Sequence, residues 1–198
     1  MSLDMQIIQL LLGNTVRQIN FSLRGLLVTG RGFEELSFCF SDTPIRHRIR
    51  ILVRPELISR TADAEYHSDT DKLLFRTPAV LQTYVGRATV VHECTHALLD
   101  LRSRASSVRS EESAAFIAEA WYLLNCGYDP VDVNNYLTVF GNIAENLRQQ
   151  AMTSGGGATP IELSVEQINA ARAQTGRLGY TSGHYTKNGI RGLRYRGN

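Results

Sequence analysis

A chain of 198 residues with 43% hydrophobic and 20% charged side chains is long enough to bury a core of its own and too apolar to stay disordered. Its net charge of +2 supplies no overall field for nucleic acid or a membrane surface, and neither is expected as a partner. The three cysteines, Cys39, Cys94 and Cys126, lack paired-ligand spacing and point to a reducing compartment rather than a disulfide framework.

The opening stretch "MSLDMQIIQLLLGN" reads as a packed helix or strand. It has neither a basic n-region nor a small-residue cleavage site, and about 18 consecutive apolar residues occur nowhere in the chain. The expected location is therefore cytoplasmic, with export without a signal peptide as the alternative. "ELSFCFS" alternates and predicts a strand. So does "IRHRIRILVRP", which puts Ile45, His47, Ile49, Ile51 and Val53 on one face and Arg46, Arg48, Arg50 and Arg54 on the other. Without interleaved aromatics, the arginine face reads as solvated rather than as a phosphate-binding stripe. "AEYHSDTDKLLFR" predicts a hairpin: a strand to His67, a turn over Ser68–Asp71 and a return strand through Phe75.

Helices follow. Thr77-Pro78 is a cap and first-turn pair for a helix reaching Leu101. A second helix is expected from Ser110 to Asn125, stopped by Gly127, and a third from Asp129-Pro130 to Met152. "TSGGGATP" breaks the pattern, and Ser164 with Gln167 makes a capping box for a short helix ending near Gly176. The order of strands, hairpin and helices predicts an α+β fold, with a small N-terminal antiparallel sheet and hairpin packed on three to four helices. The expected division is a domain over 1–153, followed over 154–198 by a glycine-rich linker, a short helix and a basic tail.

One motif stands out from this background. His92 and His96 are four apart, so on a helix both imidazoles lie on one face and can grip one cation. Zinc accepts imidazole nitrogen and takes about four ligands, which leaves room for a third protein ligand and a water. Glu93 would sit beside that water and take its proton as the cation acidifies it. The segment is HExxH, embedded among Val90, Val91, Ala97, Leu98 and Leu99, where buried imidazoles need partners. The third ligand should come from the next helix, where Glu111 and Glu112 are followed by Ser113, Ala114, Ala115 and Ala118, small enough for a close approach.

Over residues 64–121 the chain resembles the gluzincin class of zinc metallopeptidases, in particular compact bacterial zincins and the anti-repressor or radiation-response metalloprotease family. The resemblance implies a zinc ion held by His92, His96 and a glutamate of the following helix, with Glu93 as general base. "EESAAFIA" is similar to the bacterial pattern of an acid, small residues and an aromatic, which favours Glu112; Glu111 is the alternative. Glu119, one heptad beyond Glu112, is a candidate partner for a histidine or a solvated charge. The chain departs from better-known gluzincins in lacking an acid or amide four residues after either candidate ligand.

By analogy with zincins, the hairpin at Tyr66 and His67 would hold an extended peptide by backbone pairing; an ordinary surface hairpin is the competing reading. The carboxylate-free tail reads first as an unstructured basic tail; Tyr180, His184 and Tyr185 in it are the alternative, candidate donors to an oxyanion. Cys94, Ile117 and Trp121 read as core. The expected function is a zinc metallopeptidase acting on a peptide or protein substrate. The alternatives are a zinc-binding regulator that grips a partner without cleaving it, or a secreted bacterial effector or toxin domain.

Overall fold

The computed structural model describes residues 1–40, 49–103, 106–154, 159–180 and 183. It is an α+β fold of eight helices and two three-stranded sheets among the described residues. The N-terminal stretch is α1 (Leu3–Leu12), capped by Ser2, with Ile7 and Leu11 buried one turn apart. A single helical turn, α2 (Asn14–Arg17), leads into β1 (Asn20–Leu23) and β2 (Leu26–Thr29). These two strands pair antiparallel through a two-residue turn in which Arg24 and Gly25 both take positive φ, 52° and 79°. That geometry matches the right-handed strand twist.

"ELSFCFS" does not form the expected strand. Its first residues end α3 (Gly30–Ser37), and Phe38–Phe40 is a 3-10 turn. The helix starts upstream, where Thr29 Oγ1 accepts the Gly32 amide at 3.0 Å, and it buries Phe33 and Leu36 at helical spacing. Phe38 is 64% exposed, so the apparent alternation did not mark a buried face.

β3 (Arg50–Val53) confirms a strand in the described end of "IRHRIRILVRP", although Ile51 is only half-buried and Val53 is exposed. Ile45, Arg46, His47 and Arg48 lie outside the described residues. The expected hairpin forms as β4 (Ala64–His67) and β5 (Lys72–Phe75), with Tyr66 opposite Leu73. β3 joins β5 in parallel, giving the order β3-β5-β4 and leaving β4 at an edge. The expected antiparallel sheet is therefore replaced by two mixed ones. In the other sheet β1 pairs with β2 on one side and, in parallel, with a strand from the far end of the chain on the other.

Thr77 caps a 3-10 turn, Pro78–Gln82, rather than the long helix itself. A second cap, Thr83, opens α4 (Tyr84–Leu101). α5 (Val108–Asn125) is capped by Ser107 and buried at every position from Ser110 to Leu123. The third expected helix is broken into α6 (Pro130–Val133), a 3-10 turn over Asn135–Leu137 and α7 (Thr138–Thr153). The break falls at Asn134, which is extended and whose side chain accepts the Tyr136 amide. β6 (Ile161–Glu162) supplies the parallel partner of β1, and α8 (Val165–Arg177) carries the expected capping box.

α4 and α5 form the centre, with α7 and α8 packed on α5, and β4 and α3 against α4. Trp121 of α5 is fully buried, stacked 6.1 Å from Phe21 of β1, so one aromatic pair joins the helical core to the first sheet. Ile117 and Cys94 are likewise core. No helix among the described residues is long and apolar enough to cross a membrane.

Gly86 sits where the first turn of α4 crosses the preceding 3-10 turn, and an added Cβ would overlap the carbonyl oxygen of Val80. Gly86→Ala is expected to destabilise the fold by about 1–3 kcal/mol, read as a lower urea midpoint at an unchanged m-value.

Candidate metal centre

α4 and α5 run antiparallel, so rising positions on one meet falling positions on the other. His92 lies against Glu119, and His96, one turn later, against Glu111 and Glu112. Ser113, Ala114, Ala115 and Ala118 carry little volume, and all are buried in α5. All five ionisable groups are buried as well: His92 is 6% exposed, His96 7%, Glu111 0%, Glu112 3% and Glu119 5%.

Each imidazole is held from behind. Glu119 Oε2 lies 3.0 Å from His92 Nδ1, and Glu111 Oε1 lies 2.9 Å from His96 Nδ1. A carboxylate at Nδ1 fixes the ring and favours the tautomer that leaves Nε2 as the donor to a cation. Glu111 is braced in turn by the Ser106 hydroxyl, which donates to Oε2 at 2.7 Å. Both Nε2 atoms then face Glu112, whose oxygens lie 3.4 Å from His92 and 3.5 Å from His96. One ligand atom from each of His92, His96 and Glu112 falls within 4.8 Å of the others.

Of the two acids the sequence left open, Glu112 thus completes the converging trio and Glu111 orients His96. Glu119, the other candidate, orients His92. These two contacts supply the bracing that seemed missing when no acid or amide followed the ligand by four residues. They come from one residue before the ligand and seven after it.

The donor set fits a divalent cation. Two neutral imidazole nitrogens and a carboxylate oxygen are the ligand types of a three-residue zinc site. Four acidic side chains, Glu93, Glu111, Glu112 and Glu119, surround the two imidazoles. Burial alone would push His92 down, but hydrogen bonds to Glu112 and Glu119 and the Glu119 charge outweigh it and hold its pKa well above the ordinary imidazole range. His96 is raised in the same sense, its burial overcome by the charge of Glu112 and its bond to Glu111.

Glu93, beside His92 on α4, turns toward the hairpin. Its Oε2 accepts the Tyr66 amide of β4 at 2.7 Å. Burial raises its pKa, with the two histidines and the Tyr66 amide pulling the other way. The group opens into a cleft of about 750 Å³. β4 lines it together with Phe116, Tyr136 and Tyr180. Phe116 packs edge-on against His92 at 4.5 Å and stacks on Phe140 at 4.9 Å, closing the apolar side of the site.

Tyr66 and His67 both line the cleft, His67 with Nε2 3.3 Å from Glu65. Tyr180 is there too, its phenol raised above the ordinary range by burial and the nearby glutamates. His184 and Tyr185 lie outside the described residues. Sequence reasoning missed Tyr136, which reaches the cleft only because Asn134 interrupts the third helix; the Asn134-Asn135 pair was the available signal. It also missed Asp100, which accepts the Tyr66 hydroxyl at 2.9 Å.

The raised histidines carry a pH dependence. A group with a raised folded pKa stabilises the fold fully below its unfolded value, here 6.5, and that contribution is lost as pH rises through the folded value. With a chelator present, urea stability is expected to fall from pH about 6 to about 8. Zn²⁺ at about 100 times its Kd should add about 2.7 kcal/mol, with an apparent Kd that tightens as pH rises and proton competition weakens. The chain matches no protein-family model, no curated protein and no solved structure, so the site itself carries the functional reading.

Proposed function

We propose that the chain is a zinc-dependent metallopeptidase. One observation carries the reading: two imidazole nitrogens and the Glu112 carboxylate converge at a buried point in a cleft, with the Glu93 carboxylate beside them. His92, His96 and Glu112 would hold the ion. Bound zinc would polarise the scissile carbonyl and acidify the attacking water.

The chain's own groups do the rest. Glu93 accepts the water's proton and delivers it to the leaving nitrogen, a role favoured by a carboxyl pKa raised toward working pH. β4 is an edge strand along the cleft, so an extended peptide can lie beside it and pair with its backbone. The phenols of Tyr136 and Tyr180 belong to residues lining the same cleft, kept protonated by burial and available to donate to a developing oxyanion. Glu111 and Glu119 keep the two rings in register with Glu112.

Elemental analysis of the purified chain after zinc reconstitution should find close to one zinc per chain. A proteome-derived peptide library, digested and read by mass spectrometry, should show cleavage by the wild type. Glu93→Gln should retain zinc and lose about 10²- to 10⁴-fold in rate. Glu119→Gln should weaken zinc binding by about 10- to 100-fold. No zinc uptake would sink the proposal; zinc uptake without cleavage would reassign the centre to partner binding.

A further inference from the structure

Tyr66 is fastened to α4 at two points. Its backbone amide donates to Glu93 Oε2 at 2.7 Å, and its phenol donates to Asp100 Oδ2 at 2.9 Å. Glu93 and Asp100 are seven residues apart, so they lie on one helix face about 10 Å apart along the axis. Asp100 is 0% exposed and takes no part in the cleft.

The ladder to β5 fixes only the inner side of β4, where Tyr66 stands opposite Leu73. A four-residue edge strand paired on one side can still tilt or slide against the helix it covers. Among the described contacts, the two Tyr66 bonds join this strand to the face of α4 that carries the base. Both bonds end on carboxylate oxygens, and the phenol bond reaches a fully buried one outside the cleft. The amide bond occupies one oxygen of Glu93 and leaves the other to receive a proton.

We infer that Asp100 and Tyr66 are positioning residues for Glu93: Asp100 holds the Tyr66 phenol, the phenol sets the height of β4 on α4, and the β4 amide then orients the Glu93 carboxylate. The inference rests on the proposed role of Glu93 as base, but the geometry it describes can be read without turnover. A backbone amide cannot be removed by substitution, so the phenol anchor is the accessible handle. Asn in place of Asp100 keeps an oxygen that accepts the phenol, whereas Ala does not.

The test follows the amide proton of residue 66 by ¹H–¹⁵N spectroscopy in the full chain, with and without Zn²⁺. Glu93→Ala locates the resonance of that amide when the carboxylate bond is absent. Tyr66→Phe and Asp100→Ala should move it toward this position and speed its hydrogen exchange by about tenfold, while Asp100→Asn should leave it at the wild-type position. Zn²⁺ affinity by calorimetry should stay within about twofold of wild type in Tyr66→Phe and Asp100→Asn, since neither touches a proposed ligand. A resonance unmoved in both Tyr66→Phe and Asp100→Ala, or moved equally in Asp100→Asn, would overturn the inference. Should Asp100→Ala fail to fold, Tyr66→Phe, which removes a single oxygen, decides alone. If the amide behaves as stated but Zn²⁺ does not bind, the positioning geometry stands and the peptidase reading falls.

Discussion

The close antiparallel contact of α4 and α5 is the constraint on which the site depends. Five buried histidines and glutamates of these two helices make up the cluster, and only the crossing register pairs His92 with Glu119, His96 with Glu111, and both Nε2 atoms with Glu112. A shift of one turn along either axis would aim a carboxylate at the wrong nitrogen. The small residues of α5 permit the approach, and Trp121 against Phe21 and Phe116 against Phe140 hold α5 in the apolar core.

Such a cluster is not there for stability. Burying each ion costs several kcal/mol, and apolar side chains of similar volume would do as well or better at the centre of the fold. The surrounding core, from Ile7 to Ala171, offsets that cost. Protons or a dication can both neutralise the carboxylates, and they compete for the same imidazole nitrogens. Coupling between cation binding and proton release is therefore built into the arrangement rather than added to it.

The lining of the cleft has two origins. β4 is tied to α4 through Tyr66, whose amide and phenol bond Glu93 and Asp100. Much of the aromatic lining follows short-range interruptions: Tyr136 comes just after the break at Asn134, and Leu178 and Tyr180 just after the end of α8.

The sequence by itself determined what lies within one element. The spacing of His92 and His96, the cap at Ser164, the Ser68–Asp71 hairpin turn and the burial of Trp121 all follow from local periodicity and local hydrogen bonding. It also narrowed the third ligand to two adjacent acids. Neighbours on a helix point about 100° apart, so choosing between Glu111 and Glu112 required the rotation of α5 about its axis, which packing alone sets. The same limit hid the parallel partners of β1 and β5, the Asp100–Tyr66 bond and the cleft position of Tyr136. Each joins residues far apart in the chain, and no local pattern encodes which distant surface a side chain will meet. "ELSFCFS" misled for the converse reason: seven residues suit either period, and the cap at Thr29, together with the core beneath Phe33 and Leu36, decided for the helix.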